Sequence, residues 1–129
     1  MTAIPDWTRA LLDAPTYATL ATLNSDGSPQ LTEMWVARDE ETVIFSSVAG
    51  RQKPKNIARD PRVSVLLVDP DSPFRYSEIR GTAEVVDDPG ELIQDLAQKY
   101  TGKAWPADPP GAQRVIIRLT PTRVHEKKG

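Results

Sequence analysis

The sequence has no cysteine and only one histidine, His125, in 129 residues. Without cysteine there is no disulfide, no cysteine-ligated zinc, no iron–sulfur cluster and no thiol nucleophile. A single histidine beside Glu126 and Lys127 argues against a His-rich metal centre or a Ser–His triad, and His125 reads as a surface residue. No apolar run approaches the length of a membrane span. The opening stretch MTAIPDWTRALLDAP has neither the basic nor the apolar region of a secretory leader, so the cytoplasm is the expected compartment. Neither sign of charge dominates: 16 Lys and Arg face 18 Asp and Glu, for a net −2. A mildly acidic chain is a poor general nucleic-acid binder. Nucleotide-binding and nucleophile motifs are also missing: no G-x-G-x-x-G after a strand, no G-x-x-x-x-G-K, no H-E-x-x-H, no G-x-S-x-G. If such a chain is an enzyme, a bound cofactor carries the chemistry.

What is present is an ordinary globular composition, 39% hydrophobic and 26% charged, with enough length for one domain over residues 1–129. Its charge is unevenly spread. Ser46–Arg62 (SSVAGRQKPKNIARDPR) holds Arg51, Lys53, Lys55, Arg59 and Arg62 against one acid, Asp60. Pro54 suits the first position of a short helix, where a missing N–H costs nothing. Arg51, Lys53 and Lys55 then crowd a helix N-terminus, the end whose dipole disfavours cations. Breaking a local rule this way points to a bound anion such as phosphate. The competing reading is a solvated basic helix face.

The surrounding pattern is mostly strand. Asp6–Asp13 reads as a helix with Asp6 as N-cap and Pro15 as terminator. Tyr17–Leu23 and Gln30–Arg38 flank the turn Asn24-Ser25-Asp26-Gly27 and form a hairpin. Thr42–Ser47 is a third strand, followed by the basic helix that Asp60-Pro61 ends. Val63–Val68 is a buried-type strand. Phe74–Val86 is a long one, with Gly81 as a bulge or close-approach point. Pro89–Tyr100 is an amphipathic helix with Leu92, Ile93, Leu96 and Ala97 on one face. Lys103–Pro110 is a proline-rich loop around Trp105, and Arg114–Leu119 is the last strand, extended by Thr122–His125 past Pro121. About six antiparallel strands with a few short helices suit a mainly β fold, an antiparallel β-barrel with helices at its ends that could hide surface in a dimer. Phe74 and Tyr76, two apart, would share a strand face. Glu33 and Glu78 read as exposed strand residues.

The order TLNSDGSPQLTEMWV, D-x-x-x-x-V-I-F-S-S, RQKPKNIARDPRVSV and Y-x-E-I-R-G-T-A-E-V resembles the pyridoxamine-5′-phosphate-oxidase-like split-barrel flavoproteins. Within them it looks like the branch that uses the deazaflavin coenzyme F420. The resemblance runs from about Thr16 to Val124, and Arg51–Val65 is its most specific part. It implies a homodimer with the cofactor in an interface groove and a small organic substrate. Arg51, Lys53 and Lys55 match the positions that hold the cofactor phosphate and lie near its glutamate tail. Ser46 and Asn56 match positions near the phosphate or ring side chain. Thr19, Ala21 and Gln30–Thr32 match backbone beside the ring and ribityl chain. Tyr76, with Phe74, matches the aromatic strand arriving from the other subunit. No proton donor carries over. Three cations at alternate positions suit a phosphate plus a carboxylate-rich tail better than FMN, which has no such tail. FMN, as an oxidase or reductase cofactor, and a non-catalytic cofactor carrier are the competing expectations.

Overall fold

The computed structural model describes residues 2–129. In chain order the elements are α1 (Asp6–Asp13), β1 (Ala18–Leu23), β2 (Pro29–Met34), β3 (Ala37–Asp39), β4 (Thr42–Val48), α2 (Gln52–Arg59), β5 (Arg62–Val68), β6 (Tyr76–Asp87), α3 (Glu91–Thr101) and β7 (Arg114–Lys127). The seven strands form one sheet, β2-β1-β5-β6-β7-β4-β3, with every pairing antiparallel. Its two edge strands, β2 and β3, are joined only by Trp35-Val36. The sheet must therefore roll until its edges meet, yet no ladder among the described residues closes the seam between them. The result is the mainly β split barrel read from the sequence, with seven strands rather than six.

The alternation ATLATL in β1 puts Ala18, Leu20 and Thr22 inside. Phe45, Val65, Leu67, Ile79, Ile117 and Leu119 complete the barrel interior, and Leu11, Leu12 and Ile57 plug it from α1 and α2. A second, smaller core lies outside: Leu92 and Leu96 of α3 cover Ile44 and Ile116, with Trp35 and Tyr100 at its rim. β6 and β7 carry the longest ladder. At its bulge, between Arg80 and Gly81, a Cβ on Gly81 would stand 2.1 Å from the Thr120 carbonyl oxygen. Only glycine fits so close a backbone approach.

Four expectations need correction. Gln30–Arg38 is not one strand. The Val36 N–H goes to the Tyr100 hydroxyl (3.0 Å) and its carbonyl accepts from Lys99 Nζ (2.6 Å), so the chain leaves the ladder there. Phe74 is not in a strand. The loop hydrogen bonds Asp69 N–H to Arg75 O and Arg75 N–H to Ser72 O hold it in a turn, 74% exposed, so it shares no strand face with Tyr76. Pro54 is the third residue of α2, whose N-cap is Arg51. It is harmless there because first-turn N–H groups have no helical partner. Asp6 is the first helical residue of α1 rather than its cap. Glu126 of β7 does the capping from across the fold, accepting the Thr8 N–H (3.0 Å) and hydroxyl (2.7 Å).

Candidate functional site

The inward-facing residues of β2, Gln30, Thr32 and Met34, lie opposite Thr22, Leu20 and Ala18 of β1. They sit at an edge of the sheet, on the open seam, where they are only partly covered. Two hollows meet along that seam. A groove of about 320 Å³ is lined by Gln30, Thr32, Met34, Ser47, Arg51, Gln52 and Lys53. A cleft of about 370 Å³ shares Thr32, Met34 and Arg51 and continues to Tyr17, Trp35, Ser46, Ile93, Leu96, Trp105 and Arg114. Both fall in the size range of small-molecule sites.

Charge in the groove comes from α2. Its first turn holds no acidic residue, and no side chain caps it. Lys53 is buried, 6% exposed, and its Nζ donates to Gln30 Oε1 (2.5 Å) and Thr32 Oγ1 (2.6 Å). Among the described residues, Arg51, Lys53 and Lys55 form no ion pair. Burial without a counter-charge lowers the Lys53 pKa to about 8. Such an ammonium is costly unless an anion joins it.

The other sequence-predicted residues are distributed as follows. Ser46 lines the cleft, 3.5 Å from Arg114 Nη1. Lys55 is exposed on α2 and lines neither hollow. Asn56 is fully buried behind the groove. It donates to Thr22 Oγ1 and Asn24 Oδ1 (3.0 Å each) and accepts from Gln52 and Arg59, so it pins α2 to the first hairpin. Thr19 lines a separate hollow with Leu66 and Pro73, and Ala21 another with Arg62 and Arg80. Tyr76 starts β6, its ring 6.3 Å from that of His125. Neither Tyr76 nor Phe74 lines the groove or cleft of its own chain.

Sequence reasoning missed two features. Arg114, 8% exposed, makes two bonds to Asp108 (2.9 and 2.7 Å) and lies 5.2 Å from the Trp105 ring. Those bonds, with that of the Trp105 indole, hold the Asp108 carboxyl down to about 2. Lys99 and Tyr100 are the second feature. The Lys99 ammonium spans Leu12 O and Val36 O, while the Tyr100 hydroxyl binds Thr16 O. Trp105 in a loop was the only signal for the first; the second left none.

Comparison with solved structures places this arrangement among known proteins. A structure described as an F420 reductase matches with 40% identity and a TM-score of 0.83, covering 95% of this chain and 98% of that one. A conserved hypothetical protein from Mycobacterium tuberculosis matches with 29% identity and a TM-score of 0.75, covering 98% and 86%. HupZ of Group A Streptococcus, at 18% identity and a TM-score of 0.74 over 98% and 95%, shares the fold. The family model for pyridoxamine 5′-phosphate oxidase matches residues 4–128, and the chain belongs to that family.

Proposed function

We propose that the chain is a coenzyme F420-dependent reductase. The observation that carries this is the buried Lys53 ammonium, held by neutral groups only, at an uncapped helix N-terminus beside unpaired Arg51. That arrangement suits a phosphate, which accepts from the free first-turn N–H groups and both cations. The 40% identity to an F420 reductase favours the deazaflavin over FMN. The bound deazaflavin supplies a hydride.

The chain's own part is to bind and orient. Arg51 and Lys53 hold the anionic end, with Lys55 contributing long-range attraction from the surface. Gln30 and Thr32 of β2 position Lys53 and flank the ribityl side, and Ser46 offers a hydroxyl from the wall of the cleft. Asn56 acts behind them, fixing the helix. The apolar cleft beyond excludes water and receives the small organic acceptor. The functional unit is a homodimer. Leu31, Leu66 and Phe74, 62%, 38% and 74% exposed, are the apolar groups it would cover. Tyr76, with Phe74, then serves the neighbouring chain's groove rather than its own. Among the described residues, no helix is long and apolar enough to cross a membrane.

Titrating the protein with F420 and with FMN, at low and high salt, tests the reading by fluorescence quenching. F420 is expected to bind at least about tenfold more tightly and to weaken with salt as screening grows. Tighter binding of FMN would overturn the choice of cofactor. Tight F420 binding without oxidation of its reduced form by any acceptor would make the protein a carrier.

A further inference from the structure

Trp105 sits in a loop, where an indole is normally mobile, yet it is held on three sides. Its backbone N–H and carbonyl both bond the Gln94 side-chain amide of α3 (3.0 and 3.2 Å). Its indole N–H donates to Asp108 Oδ1 (3.0 Å). The Arg114 guanidinium, locked to the same Asp108, lies 5.2 Å from the ring. The loop's proline content, Pro106, Pro109 and Pro110, stiffens what these bonds fix. None of these contacts plugs the cleft.

This indole stands at 84° to that of Trp35, with ring centroids 6.0 Å apart. Trp35 is itself stacked on Tyr100 at 5.3 Å and 11°. The two indoles therefore form a rigid right-angled corner. Tyr17, Met34, Ile93 and Leu96 supply the rest of the apolar lining. Of the charged groups there, Arg114 is neutralised by Asp108, Arg51 stands where cleft and groove join, and Glu33 is exposed on β2. A preformed aromatic corner loses little freedom on binding and favours a flat ring that stacks on one indole and abuts the other.

We infer that Trp105 is the specificity-determining residue of the acceptor site, and that the acceptor class is a flat, uncharged, conjugated ring system. The word "acceptor" rests on the function proposed above; the binding of a flat ring at this corner does not. Trp105 selects by shape: a flat bicycle fills the corner, while a small puckered ring gains little from it.

Equilibrium dialysis of the intact protein against menadione, a flat bicyclic quinone, and cyclohex-2-enone, a small puckered enone, tests this without turnover. Trp105→Ala is expected to weaken menadione at least about tenfold and cyclohexenone less than about threefold, in line with the loss of an aromatic contact. Trp105→Phe, which keeps a ring, restores most of the menadione affinity and covers the case in which the alanine variant does not fold. F420 titration of the same variants stays within about threefold of wild type. Unchanged menadione binding in Trp105→Ala, or equal weakening of both probes in both variants, overturns the inference. Failure of wild type to bind F420 strikes the cofactor reading instead, and the dialysis still judges Trp105.

Discussion

Two lysines in this protein, Lys53 buried and Lys99 half-buried, have pKa values lowered to about 8 by desolvation. Their surroundings differ. Lys99, at the joint of α3 with α1, donates to two backbone carbonyls, Leu12 O and Val36 O, at 2.6 Å each. It also lies 5.2 Å from the Tyr100 ring and feels the Asp13 carboxylate. Lys53, at the seam, donates to an amide and a hydroxyl of an edge strand, faces no carboxylate and opens on a groove. The first is a rivet between elements whose own backbone needs it. The second is a cation held by neutral groups only, on the wall of an open groove. Burial and a depressed pKa alone do not identify a ligand site; the partner set and what lies in front of the ammonium do.

Substitutions should separate the two most strongly at the ligand. Arg51→Ala combined with Lys53→Met is expected to weaken F420 about a hundredfold or more, since two charge-assisted contacts are lost. Lys53→Met alone should cost at least about tenfold in affinity, measured by fluorescence titration. Its effect on stability should stay below about 1 kcal/mol, because Gln30 and Thr32 lie at an edge strand and can turn to water. Lys99→Met should do the reverse. It strands two carbonyls and destabilises the fold by about 2 kcal/mol in urea melts, while F420 affinity moves less than about threefold. Equal stability losses in both variants would break the comparison.

Alkaline pH sharpens it further. Both lysines titrate near 8 when folded and near 10.5 when unfolded, so the unfolded chain binds more protons between those values. Stability of the ligand-free protein should therefore rise as pH climbs from 8 toward 10.5, and each Met variant should flatten part of that rise. F420 affinity should fall over the same range in wild type and in Lys99→Met, but not in Lys53→Met. The smallest effect is expected from Lys55→Ala. This exposed residue should change affinity less than about threefold at about 0.15 M salt, with a larger effect only at low ionic strength.

Much of the frame was legible from local pattern. α1 runs from Asp6 to Asp13 as read, because its apolar spacing and Pro15 bound it. Leu92, Ile93, Leu96 and Ala97 are the buried face of α3. Gly81 marks the bulge where β6 meets β7. The basic segment does open on a groove. What was not legible depends on groups distant in sequence. The break at Trp35-Val36 is made by Lys99 and Tyr100, more than 60 residues away. The role of Asn56 in pinning α2 to the first hairpin, through Thr22 and Asn24, needs residues more than 30 positions away. The fixing of Trp105 needs Gln94, Asp108 and Arg114 from three segments. Even Lys53, singled out for its charge, could not be seen to be buried until β2 was laid across it.

The central claim is that the Lys53 ammonium waits for an anion. Near pH 8 it is about half protonated in the free protein, and an anion beside it would raise its pKa, so binding must draw in a proton. Isothermal calorimetry of F420 binding near that pH, in two buffers of different ionisation enthalpy, reads that uptake directly. Wild type is expected to take up about half a proton and Lys53→Met none. No uptake in wild type, or the same uptake in Lys53→Met, would contradict the claim.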